Sequence, residues 1–302
     1  MSTMITDELI KVRSCAGCIS AAFDTYTENF KNIFKKTWTT VLTFSILSGI
    51  SSFVSYALTK RTSTASSDVD TLLFNSSMTL ISDVVFALLC LLIGQWAIAK
   101  IVTMINGENA GRNFSKLLKI VFTCIAISLI EILFSAGATV TLRNLFSIKS
   151  IAIVVLMVAF IMLIINILAI LPLSFSFTKY LIEPKGYYKN VFGDNWKRGL
   201  HYWGFLFRMA TVTILMSTII IFMTSIHMII IQIATNANLS GMLTGDADGL
   251  PPYFGYIMFL SQSIGSFIMM YFVFFFVLLY SFAYGSVKAR HEKMIQMKNE
   301  TV

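Results

Sequence analysis

Long uninterrupted stretches of hydrophobic residues alternate along the chain with short clusters of charged residues. A helix needs about 20 apolar residues to cross the hydrocarbon core of a bilayer, whereas a membrane barrel shows roughly ten-residue stretches of alternating hydrophobicity. The apolar stretches here are continuous and too long for barrel strands. The pattern therefore predicts an all-α polytopic membrane protein whose six transmembrane helices cover residues 38–59, 78–101, 120–142, 151–178, 205–233 and 253–287.

Three similar segments, which mix basic and aromatic residues, precede the odd-numbered spans. They read "ENFKNIFKKTW", "RNFSKLLKIVF" and "KNVFGDNWKRGLHYWGFLF". Their apolar residues recur at helical spacing, which is typical of amphipathic helices that lie in the membrane interface. We expect three helical hairpins, each with an interfacial helix on the cytoplasmic face. These hairpins would be three repeats of one structural unit. The alternative is that the three segments are alike only because any inner-membrane hairpin tends to begin with basic and aromatic anchor residues.

The basic residues predict the orientation of the spans. Of the 23 Lys and Arg residues, 19 fall on one side if the N-terminus is cytoplasmic, and only Lys60, Arg61, Arg143 and Lys149 fall on the other. Cytoplasmic loops carry an excess of Lys and Arg. We therefore expect an inner-membrane protein with both termini in the cytoplasm. Residues 1–36 would form a cytoplasmic arm with an interfacial helix, residues 37–287 the transmembrane domain, and residues 288–302 a cytoplasmic tail.

Composition agrees with this prediction. Only 13% of the residues are charged, compared with about 25% in soluble domains. The net charge of +8 lies mainly on the predicted cytoplasmic side, where anionic lipid attracts basic side chains. The predicted partners are therefore the bilayer and its anionic lipids, not nucleic acid. Candidate lipid-headgroup contacts are Lys31, Lys35, Lys197 and Arg198.

One carboxylate, Glu131, lies in the middle of the third span. It is 12 residues from both Lys119 and Arg143, or about 18 Å along a helix in each direction. A charged side chain at the bilayer centre costs at least a few kcal/mol, so we expect the neutral acid. Asn166, near the middle of span four, is its predicted hydrogen-bond partner.

Small and polar residues recur with Glu131 at steps of three and four residues, which places them on one predicted helix face. The members of this stripe are Cys124, Ser128, Glu131, Ser135 and Ala138. We take Glu131, Asn166, Ser128 and Ser135 as the candidate intramembrane polar site. This site either lines a path for protons, ions or a polar solute, or it joins two helices through a hydrogen bond.

The sequence contains no arrangement of nucleophile and base, or of metal ligands, that we would assign to catalysis, a cofactor or a metal ion. Cys15 and Cys18 form a pair, but a structural zinc site requires four ligands. The first functional hypothesis is transport of a small solute, or an accessory role in transport. The second is a non-catalytic structural or assembly protein that binds a protein partner, a second copy of the chain or anionic lipid through its basic interfacial helices.

Two of the leading segments, "FDTYTENFKNIFKKTW" and "YYKNVFGDNWKRGLHYWGFLF", give the chain a resemblance to uncharacterised bacterial six-span inner-membrane families. These include the membrane domain of some glycerophosphodiester phosphodiesterases. The resemblance covers the layout of the spans and these two segments. It implies a six-helix membrane fold and carries over no catalytic residues, since the soluble phosphodiesterase domain is not in this sequence.

Overall fold

The computed structural model describes residues 8–64, 69–145, 151–184, 186–244 and 250–300. Within these residues the chain is helical and contains no strand. The side chains of Lys60, Arg61, Arg143 and Lys149, which the orientation prediction places outside, are not among those described.

The helices follow the predicted order, with one short helix between the fourth and fifth spans. They are α1 (Cys15–Thr64), α2 (Val69–Asn106), α3 (Ala110–Leu145), α4 (Ile151–Ile182), α5 (Asp194–His201), α6 (Trp203–Thr244) and α7 (Phe254–Glu300), with a 3₁₀ turn at Tyr188–Asn190. Among the described residues, six of these helices are long and apolar enough to cross a membrane, and α5 is not. The prediction of six apolar spans is thereby confirmed at the level of length and composition.

The long helices extend well beyond the predicted spans. Helix α1 contains 50 residues and α7 contains 47, or roughly 70–75 Å at 1.5 Å per residue, whereas the hydrocarbon core is about 30 Å thick. The first two leading segments are continuous with α1 and α3. Only the third forms a separate helix, α5, which begins after Gly193 and ends at His201.

The chain divides into two compact units, which we describe separately. Unit 1 comprises Met1–Thr25, Val102–Val212 and Val277–Val302, and unit 2 comprises Tyr26–Ile101 and Thr213–Phe276.

In unit 2, serine residues join α1 to α7. The Ser45 hydroxyl donates a hydrogen bond to the Ser263 carbonyl over 2.5 Å, and the Ser48 and Ser266 hydroxyls are 2.8 Å apart. Gln262 also donates to the Ser48 hydroxyl over 3.0 Å. Membrane helices commonly pack through small residues and such polar contacts. Ser45 and Ser48 therefore form part of the surface through which α1 packs against α7.

In unit 1, α4 continues through Pro172, and the carbonyls around this proline receive hydrogen bonds from tryptophan side chains. Proline has no N–H, so the carbonyl four residues earlier loses its helical donor. On either side of that carbonyl, the Trp196 indole donates to the Ala169 carbonyl over 3.2 Å, and the Trp203 indole donates to the Ile167 carbonyl over 3.4 Å. Polar groups from neighbouring segments are what allows proline inside membrane helices.

Helix α5 lies directly against α4 at this position. Asn195 and Gly199 are buried, and a Cβ atom placed on Gly199 would lie 2.7 Å from the Pro172 carbonyl oxygen and 2.9 Å from its Cα. Only a glycine allows the two backbones to approach this closely. The contact positions Arg198 and Tyr202, on and just after α5, beside the end of α4.

A buried polar network connects the α2–α3 turn to the end of α4. Asn113 and Lys116 are 0% and 5% exposed. The Asn106 amide donates to the Asn113 side-chain oxygen over 3.0 Å and to the Leu181 carbonyl over 3.1 Å. The Lys116 ammonium lies 2.7 Å from a Glu108 carboxylate oxygen and donates to the Glu183 carbonyl over 3.1 Å. These contacts hold the end of α4 in a defined position.

The start of the described chain packs against α7. Leu9 is buried, 3% exposed, and a Cβ atom on Gly285 would lie 2.0 Å from the Leu9 carbonyl oxygen. The Arg13 amide donates to the Ser286 hydroxyl over 3.0 Å, and the Arg290 guanidinium donates to the Arg13 carbonyl over 2.6 Å. Part of the arm predicted over residues 1–36 is thus packed on the end of α7, while residues 1–7 lie outside the described chain.

We expect Gly199→Ala to lower the thermal stability of the purified protein. The added methyl group meets backbone atoms of Pro172, which cannot move aside as a flexible side chain would, and overpacking of this kind costs about 1–3 kcal/mol. Gly137→Ala is the matched control, because a Cβ atom at Gly137 meets nothing within 4 Å. The measurement is the melting temperature of both variants in detergent. Equal melting temperatures would contradict the close contact between α5 and α4.

Candidate functional site

The structure separates the residues of the predicted Glu131 stripe. Glu131, Ser135 and Ala138 are half-buried, whereas Cys124 and Ser128 are exposed. Towards the start of α3 the covered positions are Thr123 and Ile127 instead.

The covered face of α3 therefore advances by four residues at a time, from Thr123 through Ile127 to Glu131 and Ser135. A straight helix has 3.6 residues per turn, so a face followed at steps of four drifts around the helix axis. The prediction alternated steps of three and four, which assumed a straight stripe. Ser128 consequently lies beside the covered face and not on it.

The predicted hydrogen bond between Glu131 and Asn166 is not formed. The Asn166 amide donates to the Met162 carbonyl over 3.0 Å, one turn earlier in α4, and its side-chain oxygen is buried without a hydrogen-bond partner among the described residues. The prediction matched two polar side chains by depth alone. Asparagine side chains readily bond to nearby backbone within their own helix, and in this helix the local bond is the one that forms.

A different set of polar side chains surrounds a cavity of about 190 Å³ in unit 1. We call it the basic cavity. The residues that line it come from the end of α4, from α5 and the turn that follows, and from the last part of α7: Phe175, Lys179, Glu183, Arg198, Tyr202, Tyr284, Val287, Lys288, His291, Glu292 and Ile295.

Glu183 is the carboxylate that joins the walls of the basic cavity. The Tyr284 hydroxyl donates to its Oε1 over 2.5 Å, and the Lys288 ammonium lies 3.3 Å from the same oxygen. The Lys179 ammonium is 4.0 Å from Oε2 and donates to the Asn195 side chain over 2.8 Å. Glu183 thus connects α4 to α7, and Lys179 connects α4 to α5.

Opposing effects act on the pKa of Glu183. Burial by itself would raise it, but the hydrogen bond from Tyr284 and the positive charges of Lys179 and Lys288 outweigh burial and hold the pKa of Glu183 below its usual value. The carboxylate is therefore ionised at neutral pH, and both of its oxygens are already occupied by protein donors or cations.

Two further groups in the wall lack partners. The Tyr202 hydroxyl and the His291 Nδ1 atom are buried without a hydrogen-bond partner among the described residues. Burial raises the pKa of the Tyr202 phenol, so it keeps its proton at neutral pH and remains a donor. An unsatisfied buried polar group costs about 1–3 kcal/mol, so these two groups favour a bound molecule that accepts from the Tyr202 hydroxyl and bonds with His291 Nδ1, which donates or accepts according to the tautomer of the ring.

The four predicted headgroup contacts are all on exposed positions. Lys31 and Lys35 are exposed on α1 in unit 2, and Lys197 and Arg198 are exposed on α5 in unit 1. Of these four, Arg198 alone also lines the basic cavity.

Comparison of the chain with protein-family models, with curated proteins and with solved structures finds no match. The site is therefore interpreted from its own residues.

Sequence reasoning missed most of the basic cavity. A usable signal was present, because Lys179 and Glu183, and likewise Tyr284 and Lys288, are separated by four residues and so share a helix face at the ends of spans four and six. The pattern places each pair on one face of its own helix. It contains nothing that brings the two pairs together across the chain.

We expect Glu183→Gln to lower stability at neutral pH and to have a progressively smaller effect as the pH falls below the ordinary Glu pKa of about 4.3. Because the folded pKa of Glu183 is depressed, its contribution is complete above the ordinary Glu value of about 4.3 and is lost as the pH falls through the lower folded pKa. A hydrogen bond to a charged group contributes about 1.5–3 kcal/mol, and partial exposure reduces this figure. The measurement is the melting temperature of both proteins as a function of pH.

Glu292→Gln is the matched control for this prediction, since Glu292 is an exposed carboxylate of the same cavity. A loss at pH 7 that is as large for Glu292→Gln as for Glu183→Gln would contradict the role assigned to Glu183.

Proposed function

We propose that this chain is a multi-pass inner-membrane protein with both termini in the cytoplasm, and that it has a non-catalytic role in binding anionic lipid of the cytoplasmic leaflet. The observation that carries the proposal is that two helices pack through buried residues and expose basic side chains at neighbouring positions. On α5, Asn195 and Gly199 are buried while Lys197 and Arg198 are exposed.

Helix α1 supports the same proposal within unit 2. Ile33 and Thr37 are buried, whereas Lys31 and Lys35 are exposed. Two large aromatic residues nearby, Phe30 and Phe34, are about 40% exposed and lie against the Tyr271 ring. Exposed basic and aromatic residues side by side are the combination found at the boundary between hydrocarbon and headgroups.

The energetics favour lipid binding by several weak contacts together. Each Lys or Arg near an anionic surface contributes about 1 kcal/mol, and the contribution falls off within a Debye length. A group of such residues retains anionic lipid over zwitterionic lipid without a deep pocket. This binding should weaken as salt is raised.

We expect the triple variant Lys31→Gln, Lys35→Gln, Lys197→Gln to lose anionic lipid that co-purifies with the protein. Removal of three charges at about 1 kcal/mol each corresponds to at least a tenfold fall in the preference for anionic over zwitterionic lipid. The measurement is the lipid composition retained by the protein after extraction from mixed bilayers, at low and at high salt. Arg198 is left unchanged because it lines the basic cavity.

The matched control is Lys60→Gln, Arg61→Gln, Arg143→Gln, which removes the same charge from the predicted outer loops. In bilayers whose anionic lipid is confined to the cytoplasmic leaflet, it should keep its lipid preference. An equal loss in both triple variants would contradict the orientation. No loss in either would overturn the proposed function.

Transport of a small solute, or an accessory role in transport, is the second candidate function. Its support is that Glu131 and Ser135 both lie on the covered face of α3, since an ionisable residue that faces neighbouring helices within a membrane is by default a candidate for a conducting path. The Asn166 side-chain oxygen in α4, which has no hydrogen-bond partner within the described part of the chain, is a further polar group in the same unit.

For this second candidate we expect Glu131→Gln to abolish proton flux in liposomes under an imposed pH gradient, while the melting temperature changes little. Glutamine keeps the shape and hydrogen-bonding capacity of glutamate but cannot titrate. Ser128→Ala, on an exposed position of the same helix, should leave the flux unchanged. If Glu131→Gln has normal flux and Glu131→Leu melts at a lower temperature, Glu131 has a structural role and the transport candidate is wrong.

A further inference from the structure

We infer that the basic cavity binds a phosphate-ester anion, held by Arg198, Tyr202 and His291. The inference rests on the proposed function in one respect, since a lipid headgroup is one source of such an anion. It goes further by naming the ligand chemistry and the side chains that recognise it.

The cavity wall contains polar side chains whose hydrogen-bonding capacity is unused within the described residues. Among the described residues, the Arg198 guanidinium has no ion-pair partner, and the Tyr202 hydroxyl and His291 Nδ1 have no hydrogen-bond partner. The guanidinium presents a planar fork of N–H donors that matches two oxygens of a phosphate group. A phosphate-ester anion supplies acceptor oxygens in several directions, which suits the Arg198 and Tyr202 donors, and the tautomer of His291 that carries its proton on Nδ1 donates to the same anion.

The charged side chains that line the cavity also favour an anion. Three cationic side chains, Lys179, Arg198 and Lys288, line the cavity with two carboxylates, Glu183 and Glu292. Glu183 already accepts a hydrogen bond from Tyr284 and forms ion pairs with Lys288 and Lys179. Glu292 is exposed. A metal cation would find no set of free carboxylates here, whereas an anion would meet the uncompensated charge of Arg198.

The size and polarity of the cavity suit a small phosphate ester. A cavity of about 190 Å³ holds several waters or one small polyatomic group, because one water needs roughly 10–15 Å³ of such volume. Phe175, Val287 and Ile295 provide apolar wall beside the donors. Inorganic phosphate would leave this wall unused, while the carbon atoms of a phosphate ester would cover it.

The same chemistry is offered by a phospholipid headgroup and by a soluble phosphate ester, so the experiment uses both. The full-length protein, purified in phosphate-free detergent buffer, is titrated with dioctanoyl phosphatidic acid, with glycerol 3-phosphate and with sodium acetate at matched ionic strength. Binding is measured by calorimetry and by the rise in melting temperature. We expect at least one phosphate ester to bind and acetate to have no effect.

The variants are Arg198→Gln and Tyr202→Phe, each with a matched control. Arg208→Gln removes an exposed arginine charge from α6 that does not line the cavity, and Tyr187→Phe removes a hydroxyl from a residue that is 73% exposed and does not line the cavity. We expect Arg198→Gln and Tyr202→Phe each to weaken phosphate-ester binding at least tenfold, and the controls to bind like the original protein. Without ligand, Tyr202→Phe should melt no lower than the original protein, because the hydroxyl it removes has no hydrogen-bond partner in the described part of the chain.

The results separate the possible sources and the two proposals. Binding of phosphatidic acid at least tenfold tighter than glycerol 3-phosphate identifies a lipid as the ligand, and equal affinities identify a soluble ester. Binding that Arg198→Gln and Tyr202→Phe leave intact, or no binding of either ester, would overturn the inference. If the cavity binds an ester while the lysine triple variant keeps its anionic lipid, the proposed function fails and the cavity site stands.

Discussion

Unit 1 depends on a single carboxylate, Glu183, at the end of α4. Its side chain accepts from Tyr284 and pairs with Lys288 on α7, while its backbone carbonyl accepts from Lys116 on α3. The Glu183 side chain is 30% exposed, but removing its carboxylate still leaves the Tyr284 hydroxyl and the Lys288 ammonium without this partner. Glu183 therefore determines where the ends of three helices lie, and with them the walls of the basic cavity.

A second constraint comes from Pro172. Because this proline leaves α4 short of a backbone donor, Trp196 and Trp203 donate to carbonyls on either side of the gap, and Gly199 allows α5 to reach Pro172. The same short helix carries Arg198, and Tyr202 follows it directly. The missing backbone donor in α4 and the cationic wall of the cavity are consequently linked through α5.

Prediction from the sequence worked where a local pattern carries the physical cause. Six apolar stretches predict six long apolar helices because hydrocarbon admits few other backbone structures. Prediction failed where it had to name the hydrogen-bond partner of a side chain. Glu131 and Asn166 share a predicted depth, but the Asn166 amide bonds within its own helix. The first two leading segments share a composition with the third, yet they continue into α1 and α3 without a break.

The sequence alone determined the fold class, the six apolar helices and the clustering of basic residues, since each follows from hydrophobicity and charge along neighbouring positions. Only the tertiary structure decided which polar residues meet. Lys179 and Glu183 are about a hundred positions away from Tyr284 and Lys288, and hydropathy carries no information across that separation. Their meeting depends on how the ends of α4 and α7 pack in unit 1, and packing is a property of surfaces brought together by folding.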